Sequence, residues 1–150
     1  MREEVHMGYA DLARSHVKEC LREGYGLSSL MVDEDGDVPF RHGTAQYWVT
    51  VRGDGQRVRV WAHAVRGVTV RAALLRELNE VNAGLELGRC YVSRDAVVIE
   101  GVLPVDGLTP VLMRELCLEV GSTSDTVGQL VAAVHGGQVT HPGGCDVCSE

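Results

Sequence analysis

Several things are scarce in this 150-residue chain. It has one phenylalanine, aromatics at only 5%, and a single lysine (Lys18) beside thirteen arginines. That last skew reflects composition bias and carries no functional signal. There is no excess of positive charge either: fourteen basic against twenty-one acidic residues leave a formal net charge of −7. A nucleic-acid binder needs a basic face to neutralise phosphates, so the balance argues against that class. It favours neutral or basic partners instead. No apolar run reaches the ~20 residues that a bilayer-crossing helix needs, so no membrane partner is expected. The N-terminus, "MREEVHMGYADLARSH", is charged and has no apolar core of the secretory kind. A cytoplasmic location is the expectation. Catalytic signatures are missing too, with no G-x-S-x-G, P-loop, Rossmann glycine fingerprint or H-E-x-x-H. The scattered acids form no recognisable pair. The sequence therefore predicts no enzyme and no cofactor.

Hydrophobic residues make up 45% of the chain, enough for one domain with one core. Residues 9–26 read as a helix, with Leu12, Ala13, His16, Val17, Cys20 and Leu21 on one stripe and Gly24 as its C-terminal cap. His16 is expected at the edge of the core. "LSSLMVDEDGDVPFRHG" follows as a short strand, an acidic turn and an irregular return. Counted from Asp33, glycine falls at position 4 where an EF-hand has it at 6, and position 12 is Thr44 where that motif has Glu. The acidic turn is thus a solvated turn.

Residues 46–64, "QYWVTVRGDGQRVRVWAHA", form the clearest hairpin, turning at Gly53–Gln56. That loop sets Val51 against Val58, Thr50 against Arg59, Val49 against Val60 and Trp48 against Trp61. Tyr47, Val49, Val51, Val58, Val60 and Ala62 then face the core. Strict alternation puts both tryptophans on the other face, with Thr50, Arg52, Arg57 and Arg59. A second helix covers about 71–83, with Leu74, Leu75, Leu78 and Val81 as its stripe and Gly84 at its end. Two strands follow at about 88–93 and 96–103, turning at Ser93–Ala96. Val97, Ile99 and Leu103 point one way, and Val98, Glu100 and Val102 the other. Thr109 and Pro110 cap and open the third helix. Its stripe is Leu112, Leu116, Val120, Val127, Leu130 and Val134, with a break or kink permitted near "GSTSD". The order α-β-β-β-α-β-β-α predicts an α+β fold with an antiparallel sheet. Residues 1–135 form its one domain, and residues 136–150 are a flexible Gly/Cys-rich tail.

That order resembles the YbjN-type, type III secretion chaperone-like family. So does "LLRELNEVNAGLELGRCYVSRDAVVIEGVLPVDGLTPVLMRELCLEV", with its Leu-Asn and Val-Asn dipeptides at 78–79 and 81–82, Gly-Arg at 88–89, and "LPVDGLTP" leading into a helix. The resemblance covers roughly residues 9–135 and implies a compact α/β homodimer of the type III secretion chaperone-like fold. Its secretion chaperones bind an extended client segment along helices and sheet. The expected function is a non-enzymatic protein-binding adaptor or chaperone-like regulator acting as a homodimer.

The residues add their own support. Trp48, Trp61, Arg59, Val98 and Val102 share one sheet face with the composition of a contact surface, where aromatics and Arg are enriched. Client binding, self-association and internal packing all fit such a face. Leu75, Leu78, Asn79 and Asn82 are the candidate dimer residues. The two asparagines either bond to strand ends and the following loop or set register across a helix-mediated dimer. Cys20, Cys90 and Cys117 sit in apolar patterns and read as small buried residues. The tail departs from the family pattern in carrying C-x2-C. His141, Cys145 and Cys148, with His135 as a fourth ligand, form the alternative: a metal-binding or redox-responsive protein.

Overall fold

A computed structural model describes residues 8–143. Helix α1 (Tyr9–Tyr25) leads into β1 (Val38–His42), β2 (Ala45–Val51) and β3 (Arg57–Arg66). Helix α2 (Ala72–Gly84), β4 (Arg89–Ser93), β5 (Ala96–Pro104) and α3 (Pro110–His135) complete the chain. The five strands form one antiparallel sheet in the order β1-β2-β3-β5-β4. The element order and fold class are those the sequence predicts. No helix of the described residues is long and apolar enough to cross a membrane.

The central hairpin has the predicted register, with Trp48 opposite Trp61, Thr50 opposite Arg59 and Val51 opposite Val58. Period-two alternation then sorts the strands, broken only in β3 by a register shift between His63 and Val65 that leaves Ala64 and Val65 both in the core. Val38, Tyr47, Val49, Val58, Val60, Ala62, Cys90, Val97 and Ile99 point to one side. There they meet Val17, Cys20 and Leu21 of α1, Leu74 and Leu78 of α2, and Met113, Leu116, Cys117 and Val120 of α3 in one core. All three helices therefore cover the same face. Tyr25, Phe40 and Tyr47 stack in series within this layer, with centroid separations of 5.4 and 5.3 Å. Cys20, Cys90 and Cys117 are free and buried.

Three local readings change. The short strand expected before the acidic turn lies after it, as "VPFRH". Asp33 closes the turn itself: its carboxylate accepts the amides of Asp35 at 3.0 Å and Asp37 at 2.9 Å. Helix α1 runs past Gly24 and ends at Gly26, which adopts φ 65°. Gly24 instead allows a close helix crossing, since a Cβ there would stand 2.8 Å from the Pro110 carbonyl oxygen. Leu130 and Val134, both 63% exposed, are off the stripe of α3, and Met113, Cys117 and Val131 are on it.

Helix α3 is continuous over 26 residues, without a break at "GSTSD". The Thr109 hydroxyl caps it by accepting the Leu112 amide at 3.2 Å, and Pro110 opens it. Its two glycines, weak in an isolated helix, are contact points here. A Cβ on Gly121 would lie 3.0 Å from the Tyr47 ring, and one on Gly128 would lie 2.5 Å from the Ala64 carbonyl oxygen. Two carboxylates of α3 hold the ends of the sheet. Asp125 accepts the Thr44 amide at 2.7 Å and its hydroxyl at 2.6 Å, beside Gly43 at the β1–β2 turn. Glu119 accepts the amides of Glu86, Leu87 and Gly88 at 2.8, 2.8 and 2.7 Å. Beyond α3, Gln138 exchanges backbone hydrogen bonds with Arg66, and the His141 amide donates to the Thr44 carbonyl at 2.9 Å.

Replacing Gly128 by Ala tests the close approach of α3. On an open helix surface the change stabilises by about 1 kcal/mol. Here the new methyl group meets backbone, and overpacking of that kind costs about 1–3 kcal/mol. The expected result is a lower urea midpoint for Gly128→Ala, while Gly84→Ala, which meets open space, leaves the midpoint unchanged or raised. A raised midpoint for Gly128→Ala would show that α3 does not rest on the β3 backbone.

Candidate functional site

The sheet face away from the helices is built in rows. One row crosses all five strands through Pro39, Trp48, Trp61, Glu100 and Arg89. Beside it run Thr50, Arg59 and Val102 on one side, and His63, Val98 and Tyr91 on the other. The two indoles stack with centroids 4.8 Å apart and planes 23° from parallel. The Trp61 indole N–H donates to the Thr50 hydroxyl at 3.0 Å, and the Arg59 guanidinium lies 5.0 Å from the Trp61 ring centroid. Both tryptophans remain half-buried. Stacked, offset rings with a cation over one of them are held in place before any partner arrives.

Glu100 is the polar centre of this face. Its side chain is 3% exposed. One carboxylate oxygen accepts from Arg59 Nε; the other accepts from Arg89 at 2.9 and 2.5 Å and from the Tyr91 hydroxyl at 3.0 Å. Burial by itself raises its pKa. The hydrogen bonds from Arg89, Arg59 and Tyr91, together with the Arg59 charge, outweigh burial and hold it below the ordinary carboxylate value. Glu100 thus fixes two arginines and a tyrosine in place. His63 shares the face, its ring 5.6 Å from that of Trp61. Burial first, then the charges of Arg66 and Arg59, push its pKa down, so it stays neutral near pH 7. Its Nδ1 has no hydrogen-bond partner among the described residues.

The five predicted contact residues come together on this face, in unequal positions. Trp48, Trp61, Arg59 and Val102 are half-buried; Val98 is 2% exposed, sealed between His63 and Tyr91. The four candidate dimer residues separate. Leu75 is 51% exposed and Asn79 is exposed, whereas Leu78 is 3% exposed within its own chain's core. Asn82 turns to the edge strand β4. Its amide nitrogen donates to the Cys90 carbonyl at 2.9 Å, and its oxygen accepts the Cys90 amide at 2.7 Å. A side chain here plays the part of a neighbouring strand and occupies the edge.

The tail alternative gains no support. His141 bonds to Gln46 at 3.1 Å, and buried His135 bonds to Glu77 at 2.9 Å. Cys145 and Cys148 lie outside the described residues, which contain no group of three or more His, Cys, Asp or Glu able to hold a metal. What sequence reading missed is the hub role of Glu100, with Arg89 and Tyr91. The signal was a lone acid in the apolar run "AVVIEGVLP", facing Arg89 once the last hairpin is registered.

A family model described as "T3SS (YopN, CesT) and YbjN peptide-binding chaperone 1" matches residues 11–143. No curated protein matches the sequence. Among solved structures, the Yersinia pestis type III secretion chaperone SycH, in complex with a stable fragment of YscM2, is similar at 13% identity and TM-score 0.59. That match covers 75% of this chain and 98% of the other. The HopA1–SchA chaperone-effector complex gives 10% identity and TM-score 0.61, covering 82% and 98%. YbjN from E. coli, described as a putative transcription regulator, gives 15% identity and TM-score 0.50, covering 89% and 96%.

Two measurements check this geometry. Because Glu100 has a folded pKa below 4.5, its stabilisation is full above that pH and is lost as pH falls through the folded value. Glu100→Gln should cost about 1–2 kcal/mol at pH 7, the low end for charged hydrogen bonds because Arg89 is 66% exposed. The gap to wild type should narrow as pH falls below the ordinary carboxylate value in urea titrations; a gap that does not change with pH would deny the charge its role. Asn82→Ala leaves the Cys90 amide and carbonyl without their partner and should cost about 1–3 kcal/mol, with faster hydrogen exchange at the Cys90 amide. Unchanged exchange there would show that Asn82 does not guard the edge.

Proposed function

The chain belongs to the type III secretion and YbjN peptide-binding chaperone family, and on that footing we propose that it is a non-catalytic adaptor holding a segment of a client protein on its open sheet face. The carrying observation is the stacked, half-buried Trp48–Trp61 pair, on the one side of the sheet that no helix covers. Preorganised aromatics lose little side-chain entropy on binding, which is why such residues dominate contact energies. Arg59 and Val102 extend the contact area, and Val98 supports it from beneath. SycH and the HopA1–SchA complex, similar in fold, were each solved with a partner protein, which is consistent with this use of the scaffold.

The adaptor acts as a cytoplasmic homodimer in this reading. Leu75 and Asn79, on the exposed side of α2, supply the seam; Leu78 and Asn82 support it from the core and the β4 edge. Residues 1–135 are the working unit, and the following segment is not needed for client capture.

The test pairs Trp48→Ala with Trp61→Ala. In affinity capture from native lysate, partners retained by the wild type should be lost by the double variant, while size-exclusion elution stays unchanged. Leu75→Glu should shift elution from dimer to monomer without loss of the partners. If the indole variant keeps its partners, the open face is not the client site; if Leu75→Glu elutes as the wild type does, α2 is not the seam.

A further inference from the structure

The net charge of −7 suggests neutral or basic partners, but charge is divided unevenly between the two layers of the fold. The five strands carry five arginines (Arg41, Arg57, Arg59, Arg66 and Arg89) and one acid, Glu100. The three helices carry eight acids against five basic residues. Acid gathers on the helical layer and arginine on the sheet. The open face shows this most sharply. Arg52, Arg57, Arg59 and Arg89 reach it, opposed by Glu100 and by Asp37, whose carboxylate bonds to Thr50.

The cations are not used equally. Arg59 and Arg89 are committed to Glu100. Arg52 and Arg57 are exposed and have no ion pair among the described residues. They line a groove of about 380 Å³ with Arg89 and Val102, beside the row that holds the indoles. At the other end, Arg66 and Trp48 line a larger groove. The indole pair therefore has a groove with three arginines at one end and a groove with Arg66 at the other, in a molecule that is acidic elsewhere.

Resting on the reading of this face as the client site, we propose that its occupant is an acidic, extended peptide segment. Apolar side chains of the segment cover Trp48 and Trp61, and its carboxylates pair with Arg52 and Arg57. Arg–carboxylate pairs are charge-assisted and directional, so they orient a chain that the indoles only hold. Adjacent strands lie ~4.8 Å apart, so the five-strand row spans roughly 19 Å, about six extended residues. Nucleic acid would match the same arginines, but the acidic helical layer repels a long polyanion that extends past the face.

The test uses the full chain and three 12-residue peptides without tryptophan. All carry the same two leucines, on a Glu/Asp, a Lys or a Ser/Gln background. Both tryptophans of the chain lie in the site, so indole fluorescence reports directly on it. The acidic peptide should bind at least tenfold more tightly than the other two and weaken as salt is raised from 25 to 250 mM. The double variant Arg52→Glu, Arg57→Glu should lose that preference at least tenfold, with its circular dichroism and elution volume unchanged. Equal binding of the neutral or basic peptide overturns the acidic specificity and leaves the client reading standing. Binding of an oligo-dT strand more tightly than the acidic peptide would make the face a nucleic-acid site. A shift of the arginine variant from dimer to monomer would make its occupant a second copy of the chain. If no peptide perturbs the indoles, the client reading of the face fails along with the inference.

Discussion

Apart from the irregularity at His63–Val65 of β3, the strands of this sheet send alternate side chains to opposite sides, and the helical layer lies on only one of them. That constraint shapes the rest of the molecule. Side chains facing the helices fill a continuous core of Val, Leu, Ile and Cys. Those facing away have no helix to cover them and must satisfy one another. They do so with an indole stack, a cation over an aromatic ring and one carboxylate shared by two arginines and a tyrosine. A lone buried Glu100 would be costly; surrounded by donors it becomes the fixed point from which Arg59, Arg89 and Tyr91 take their positions. A surface arranged in this way is rigid before binding, which limits the entropy lost when a partner docks.

The same constraint sets the work of α3. A 26-residue helix lying on a twisted sheet must come close to backbone at some points. Gly121 and Gly128, seven residues and about two turns apart, supply those points on one side of the helix. Their low helix propensity is offset by burial of the neighbouring Leu116, Val120, Val127 and Val131. Acids on α3 that invite a search for a catalytic pair are committed elsewhere. Asp125 clasps the β1–β2 turn and Glu119 the loop before β4. Each carboxylate neutralises backbone amides that have no strand partner.

Much of this was legible in the sequence, and what was legible follows from periodicity. The hairpin register around Gly53–Gln56, the side taken by each tryptophan, the split of Val97 and Ile99 from Val98 and Glu100, and the Thr109–Pro110 helix start all depend on local spacing. The features misread depend on what a residue meets across the fold. Gly24 has the composition of a cap, but only the crossing with Pro110 shows why it is glycine. "LSSLMV" is apolar enough for a strand, yet the Asp33 turn leaves the pairing to "VPFRH", where Pro39 is tolerated because β1 is an edge. Leu130 and Val134 are apolar at helical spacing, yet the buried stripe beside them runs through Val127, Gly128, Val131 and His135. In the site, the face could be assigned from alternation, but Val98 could not be known to be sealed. Nor could Asn82 be known to serve as a substitute strand for Cys90.

Net charge is a property of composition, whereas recognition depends on where charges stand. Strands in this chain hold five of their six formally charged residues as arginine, because alternation leaves them only one wet side and that side surrounds the indoles. Helices expose a broader solvated surface, and most of the acids on elements lie there. Opposite charges therefore collect on opposite layers. The acidic layer opposes the approach of polyanions. The arginine face carries a local positive charge that the overall charge conceals. One sheet with helices on a single side is enough to produce both properties, since the side left bare is the side on which arginine and tryptophan are placed together.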